Sequence, residues 1–441
     1  MTTYDYDIGV LGGGAAGLTV TAGSAQLGAR TILIEKEAAL GGDCLHYGCV
    51  PSKTLIRTAQ VYQQLKDLPK YGLPAVDIPR VDFRPIAKRI QQVIQRIQEH
   101  DSVERFCSLG ARVDFGQAEF IDDHAIRLNG QTVSARTWVL STGSSPAAPN
   151  IAGLDTTPYL TNKDIFSLDE LPGSMVLLGA GPIACEMAQA FARLGTEVQV
   201  IQRSGQILSK EDKDLADLLQ ARMEEEGVRF HLKAGIKEVR DRGGSKEVVF
   251  TDSQGREQTV HADQLLVALG REANVSGLKL ENAGVEYTSL GVTVDQRMHT
   301  TRKHIYAAGD VTGKNLFTHA AGYEGGIVVS NAVFHLPRKA DDTHLPWCTY
   351  TEPELASIGL NEKRAAAKGL ETRVFTEHFS GNDRSLAENE DLGCIKLLLD
   401  SGDKPLGVQI LGPQAGELIS EWVAALSSGT KLTTLAGAVH P

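Results

Sequence analysis

The chain has 441 residues, of which 42% are hydrophobic and 22% charged. That is the composition of a globular protein and, at about 150 residues per domain, the length of roughly three domains. Lys and Arg number 44 against 55 Asp and Glu, a net charge of −11, which argues against nucleic-acid backbone binding but allows a local basic pocket for one nucleotide. Apolar runs are broken by Gly or charge well short of the roughly 18 residues that would read as a membrane helix. No basic, apolar leader follows Met1, and six Cys are too few for a secreted disulfide framework, so a cytoplasmic protein is expected.

Residues 4–11 read as a short buried strand, followed by Gly12-Gly13-Gly14-Ala15-Ala16-Gly17 and a small-residue helix to about Gly28. A second strand, Thr31-Ile32-Leu33-Ile34, ends on Glu35. This is a βαβ dinucleotide-binding pattern. Gly12 and Gly14 let backbone approach a pyrophosphate at the helix start, Gly17 lets helix and strand pack closely, and Glu35 can accept from ribose hydroxyls.

Next comes Gly41-Gly42-Asp43-Cys44-Leu45-His46-Tyr47-Gly48-Cys49-Val50-Pro51-Ser52-Lys53. Two Cys five positions apart at a helix start can close a small reversible ring, and the helix start with a nearby Lys favours thiolate. In a cytosolic chain such a pair reads as catalytic rather than structural, the alternative being two inert buried thiols. Cys107, Cys185, Cys348 and Cys394 are scattered and read as small core residues, and no metal site is expected because no second Cys/His pair has ligand spacing.

A long amphipathic helix is predicted across Ile86, Ile90, Val93, Ile97 and Val103, followed by strand-rich segments at 112–140 and 228–268. Between these two segments the dinucleotide pattern returns at Ser174–Glu186, with Gly179, Gly181 and, in place of the third glycine, Ala184. Its second strand, Glu197–Ile201, ends on Gln202-Arg203 instead of an acid. An acid would repel a 2′-phosphate and an Arg can pair with one, so this unit suits NADPH and the first an unphosphorylated ribose. Residues 341–347 read as a linker into a last α+β segment.

The Gly41–Lys53 segment resembles the redox-active segment of the pyridine nucleotide–disulfide oxidoreductases, a family that includes dihydrolipoamide dehydrogenase, glutathione reductase and mercuric reductase. Further matches are Ser141-Thr142-Gly143-Ser144-Ser145-Pro146, Ala268-Leu269-Gly270-Arg271-Glu272-Ala273-Asn274 and Ile305-Tyr306-Ala307-Ala308-Gly309-Asp310. The resemblance implies an α/β fold of two Rossmann-like dinucleotide-binding domains with a C-terminal α+β dimerisation domain. FAD would be held by 1–148 and 270–340, NAD(P) by 149–269, and the dimer contact would lie in 341–441. It also implies a homodimer whose active site the partner subunit completes.

By the same resemblance, FAD meets Gly12, Gly14, Ala15, Ala16, Gly17, Glu35, Lys36 and Gly42 from the first part. Ala118, Thr142, Gly143, Gly270, Gly309, Asp310 and His319, the last within Thr318-His319-Ala320, complete its contacts. Lys53 pairs with Glu186 close to the flavin, and Gly179, Gly181, Ile183, Gln202 and Arg203 hold NADPH in preference to NADH. Cys49 faces the flavin and Cys44 attacks substrate. The family's C-terminal His-Pro, followed by Glu, supplies the acid–base residue. Here the chain stops at Ala438-Val439-His440-Pro441, which reads as truncation, proteolysis or a native chain that lacks the rest. Counted from Gly429, His440 falls two positions before that histidine, which would be position 442. The implied activity is reduction of a disulfide or soft metal ion in the manner of mercuric reductases. The alternatives are an NAD-dependent dihydrolipoamide dehydrogenase and an FAD-binding redox sensor with little turnover.

Overall fold

The computed structural model describes residues 3–440, so Pro441 lies outside the described residues. It divides into two compact units, one of Met1–Pro51, Lys88–Ala148 and Gly270–Asp341, the other of Ser52–Ala87, Pro149–Leu269 and Asp342–Pro441.

In the first unit, five parallel strands lie in the order Ala111–Phe115, Thr31–Glu35, Tyr6–Leu11, Gln131–Leu140 and Ile305–Ala307. Val10 sits between Leu33 and Val139. Thr31–Glu35 is buried throughout and Tyr6–Leu11 over its last four residues, as parallel strands covered on both faces must be. Gln131–Leu140 also begins an antiparallel ribbon with Ala125–Leu128 and Ala118–Phe120. The helices Ala15–Gln26 and Thr318–Ala332 meet through small residues: a Cβ on Gly325 would lie 3.0 Å from the Ala16 carbonyl oxygen.

The long amphipathic helix is two helices, Phe83–Gln98 and Val103–Ser108. Ser102 breaks the run, its Oγ accepting from the Arg105 N–H at 3.4 Å, because a serine side chain that satisfies a free helical N–H starts a new helix.

In the second unit the strands Arg229–His231, Glu197–Ile201, Ser174–Leu178 and Gln264–Val267 form a parallel sheet in that order. The helix Pro182–Leu194 joins its two inner strands. Gly235–Asp241, Lys246–Thr251 and Glu257–Ala262 make an antiparallel sheet. A five-stranded antiparallel sheet closes the chain, ordered Pro346–Thr349, Glu354–Gly359, Pro405–Gly412, Cys394–Leu399 and Arg373–His378. It begins at Pro346, inside the stretch read as linker. Helix Ala415–Ser428 packs on it through Ala415, Ile419 and Leu426. Arg193, 2% exposed, is compensated by both oxygens of Glu226 at 2.7 Å and by Glu352, the pairing a buried charge requires. Among the described residues no helix is long and apolar enough to cross a membrane.

Gly9 lies beneath Trp138, where any Cβ would overlap the indole ring. Trp138 is fully buried, packs edge-on to Phe120 and donates from Nε1 to the His124 carbonyl at 2.9 Å, so it has no room to retreat. Gly9→Ala is expected to destabilise the first unit by about 1–3 kcal/mol, the usual range for overpacking a core. Urea unfolding followed by tryptophan emission checks this, with a shifted midpoint and an unchanged slope.

Candidate active site

The first glycine loop is built around close backbone approach. At Gly12, φ is +105° and a Cβ would overlap the Ser141 carbonyl; at Gly17, a Cβ would overlap the Gly12 carbonyl. Gly14 caps helix Ala15–Gln26 with no side chain bonded to the first turn, leaving its N–H groups and the positive end of the helix dipole for an anion. Across from it stands Gly42 (φ +62°), where a Cβ would come within 2.7 Å of Gly14 Cα. Buried Glu35 accepts from the Gly13 N–H at 2.6 Å and the Glu37 N–H at 2.9 Å, each oxygen keeping a lone pair for a ribose hydroxyl. Ala16 packs near Gly309, whose Cβ would lie 3.4 Å from the Ala16 methyl. Lys36 is exposed and paired at 3.8 Å with Glu37. The Ala118 methyl belongs to the core, so only its backbone can face a ligand.

The Gly14–Gly42 contact sets the cysteine segment. Cys44 lies in the short helix Gly42–His46 and Cys49 opens helix Cys49–Asp67. Cys49 is exposed, with Sγ 3.5 Å from Thr318 Oγ1 at the start of helix Thr318–Ala332. Cys44 is more buried, and its thiol is held well above the ordinary range, first by its hydrogen bond to Cys49 and then by burial. The bond joins the two sulfurs. Ionising Cys44 is disfavoured by that bond and by its burial. His46, between them in sequence, shares a 2.9 Å hydrogen bond through Nε2 with the Leu40 carbonyl.

The family-like motifs converge in this unit. Thr142 Oγ1 donates to the Asn274 carbonyl at 2.7 Å, and Asn274 Nδ2 donates to the Thr142 carbonyl at 2.8 Å. Gly143 (φ +69°) and Gly270 (φ +128°) face open space. Asp310 accepts from Ser144 Oγ at 2.6 Å, and Arg271 donates to the same Oγ at 2.7 Å. Burial raises the Asp310 pKa, offset in part by Ser144 and Arg271. Glu324, itself buried, accepts from the Gly309 N–H at 2.7 Å. Exposed His319 stacks on Phe317. The glycine cradle, the uncapped helix start, Glu35 and Asp310 fit a flavin dinucleotide: backbone donors for its pyrophosphate and carboxylates for its hydroxyls.

In the second unit, Lys53 Nζ sits 2.9 and 3.1 Å from the two oxygens of buried Glu186. Tyr350 serves both partners: its ring lies 4.5 Å from Nζ, and its N–H donates to Glu186 Oε1 at 3.0 Å. Sequence reasoning missed Tyr350, which no spacing links to Lys53. Gly179 (φ +100°) would put a Cβ 2.6 Å from the Ala268 carbonyl, and Gly181 caps helix Pro182–Leu194 facing open space. Ile183 is exposed in its first turn and Ala184 buried. Gln202 donates to Ser204 Oγ at 2.8 Å. Arg203 is exposed and, among the described residues, has no ion pair. Beside it, a Cβ on Gly205 would lie 3.0 Å from Lys233 Cε, a second cation that sequence reasoning overlooked. This loop offers two cations to an anionic group. His440 pairs with Glu421 at 2.8 Å, and Glu421 raises its pKa. Among the described residues two clusters have metal-ligand proximity. One is Asp123, His124 and His304, whose imidazoles stack at 4.1 Å; the other is Asp212, Asp214 and Glu362, which hold the Lys396 ammonium.

The family model described as pyridine nucleotide-disulphide oxidoreductase matches residues 6–325, and the model of that family's dimerisation domain matches 345–441. A mercuric reductase from Bacillus cereus is 32% identical over 99% of this chain and 69% of its own. A dihydrolipoyl dehydrogenase from Bacillus subtilis (strain 168) is 34% identical over 98% of this chain and 95% of its own. Among solved structures, the Cu(II) complex of the HOCl-induced flavoprotein disulfide reductase RclA from Escherichia coli superposes with a TM-score of 0.88. It is 27% identical, covering 100% of this chain and 96% of that one.

The hydrogen bond and burial that raise the Cys44 thiol lead to an expected order of ionisation. As pH rises, ultraviolet thiolate absorbance in the reduced protein should appear in a step that Cys49→Ser removes and Cys44→Ser retains. With the Cys49 charge and hydrogen bond gone, Cys44 in the Cys49→Ser variant should ionise at lower pH than it does in the wild type.

Proposed function

Because the chain belongs to the pyridine nucleotide-disulphide oxidoreductases, we propose that this enzyme passes electrons from NADPH through FAD to a Cys44–Cys49 disulfide, and on to a disulfide or soft metal ion. The observation that carries this reading is the hydrogen-bonded cysteine pair beside a glycine cradle suited to a flavin dinucleotide. FAD is assigned to 1–148 with 270–340, NADPH to 149–269, and the dimer contact to 341–441, which includes the family's dimerisation domain.

When bound, nucleotide and flavin supply two electrons by hydride chemistry. The remaining work belongs to the chain. Cys44, once a base has taken its proton, attacks one sulfur of a substrate disulfide; a Cys44–substrate bond forms and the first thiol leaves. The Cys49 thiolate then attacks Cys44 Sγ, the Cys44–Cys49 bond re-forms, and the second thiol leaves. Two electrons have passed to the substrate, and its two sulfurs take up two protons. Lys53 contributes a fixed cation that Glu186 and Tyr350 hold in place, the kind of preorganised charge that stabilises an electron-rich group without reorganisation. A soft metal ion is a milder substrate, since thiolates ligate it directly and less proton transfer is needed.

The mercuric reductase relative and the Cu(II) complex of RclA support the metal-ion substrate. The dihydrolipoyl dehydrogenase relative supports a second reading, dihydrolipoamide oxidation with NAD. Arg203 and Lys233, with no acid at the strand end, favour NADPH by charge. Nucleotide oxidation should be measured with Hg(II), Cu(II), lipoamide and oxidised glutathione, each with NADPH and NADH. The expected result is NADPH-dependent turnover with a soft metal ion or disulfide that is lost in Cys44→Ser. Faster NAD-linked oxidation of dihydrolipoamide overturns the proposal in favour of the second reading.

Arg203→Ala should cost about 1.5–3 kcal/mol of NADPH binding and little for NADH, the worth of a charge-assisted contact; fluorescence titration with both nucleotides reads the difference. On two-electron reduction the FAD-loaded wild type should develop the long-wavelength absorbance of a thiolate beside a flavin. Cys49→Ser should lose this band, and Cys44→Ser should show it without reduction.

A further inference from the structure

Arg271 joins three segments of the first unit. Its Nε donates to Ser144 Oγ at 2.7 Å and lies 3.8 Å from Asp310 Oδ2; its Nη2 donates to the Ser144 carbonyl at 2.9 Å and lies 3.2 Å from Asp43 Oδ2. The side chain is 14% exposed, and one guanidinium stands against two carboxylates. Asp43 directly precedes Cys44 and packs against Gly48, which directly precedes Cys49: a Cβ on Gly48 would lie 3.3 Å from Asp43 Oδ2 and 3.2 Å from Cys44 Cα. The carboxylate thus lies against the backbone of the turn that links the two cysteines. Left uncompensated it would oppose a thiolate on that turn, since like charges repel in a partly buried setting.

We propose that Arg271 is a positioning residue for the cysteine pair, holding and neutralising Asp43 so that the ion pair sets how readily the Cys44–Cys49 disulfide is reduced. This rests on the reading of Cys44 and Cys49 as a redox pair. In that reading the reduced pair carries its charge as the Cys49 thiolate, so whatever stabilises that thiolate favours reduction, and whatever repels it favours the disulfide. The two members of the ion pair therefore act with opposite signs. Arg271→Gln removes the cation while the Asp43 charge stays beside the cysteine turn, and makes reduction harder. Asp43→Asn removes that charge, leaves the guanidinium, and makes reduction easier. A clamp that served only to hold the segments together would shift both variants in one direction.

The test equilibrates the FAD-loaded protein with reduced and oxidised dithiothreitol, then alkylates the free thiols and weighs the product. In each turnover the protein S–S bond breaks and the dithiothreitol ring disulfide forms. Two electrons pass to the protein; one proton goes to Cys44 and the other to water while Cys49 remains thiolate. The expected result is a midpoint ratio of reduced to oxidised dithiothreitol about tenfold higher in Arg271→Gln and about tenfold lower in Asp43→Asn, the effect of about one pKa unit on the thiolate. Arg271→Lys, which keeps the charge and guards against a folding defect, should fall within about threefold of wild type, as should the Asp43→Asn, Arg271→Gln double variant. Shifts of the same sign in both single variants, or a wild-type midpoint in Arg271→Gln, overturn the inference while leaving the functional reading intact. A wild-type pair that forms no disulfide at any ratio overturns both.

Discussion

The site depends on a contact between two glycines. Gly14 and Gly42 approach so closely that a single methyl on Gly42 would lie 2.7 Å from Gly14 Cα, and this lets the cysteine-bearing segment lie against the loop that begins helix Ala15–Gln26. Everything local to the sulfurs follows from that approach: the short helix holding Cys44, the turn to Cys49, and the placement of Cys49 Sγ beside Thr318. Two helix starts and the cysteine turn are gathered in one place with few side chains between them, the condition for a flat cofactor and a reactive thiol to share a site.

A second constraint is charge. Carboxylates and a guanidinium are withdrawn from water in each unit, and each is answered locally: in the first, Glu35 by two backbone N–H groups; in the second, Glu186 by Lys53 and the Tyr350 N–H, and Arg193 by Glu226 and Glu352. Desolvation makes an unanswered buried charge costly enough that the fold must supply partners, often from distant parts of the chain. At Asp310 burial raises the pKa despite Ser144 and Arg271. Such a carboxylate keeps acceptor capacity in reserve, the property a hydroxyl-rich ligand calls for.

Local motifs were legible in the sequence because the chemistry that shapes them is local. A backbone turn at Gly12, a helix start at Gly14 and an acid at the end of the next strand lie within one βαβ unit, so spacing alone identifies them. The same holds for Cys44 and Cys49, and for the exchange of an acid for Arg203. The break between Gln98 and Val103 was hidden because apolar periodicity runs across it, and only the Ser102 cap interrupts the backbone. Partners separated by more than a hundred residues were not legible either. Nothing in the spacing ties Arg271 to Asp43, Tyr350 to Lys53, or Asn274 to Thr142, because these bonds are set by strand order and not by sequence proximity. Ala118 was legible only through family likeness; its methyl is spent on the core, and its backbone is all it can offer a ligand.

The indole packed on Gly9 has a consequence for watching the protein work. The chain has three tryptophans: Trp138 in the first unit, and Trp347 and Trp422 in the second. Trp138 is sealed from solvent, with its ring against Gly9 and its N–H committed to the His124 carbonyl. Its emission should therefore be blue and insensitive to dissolved quenchers. With Trp347 and Trp422 replaced by phenylalanine, it becomes a private optical reporter of the first unit. Resonance transfer from that indole to a yellow chromophore in the same unit would register occupancy directly. A single fluorescence lifetime could then follow cofactor loading without substrate, turnover or label.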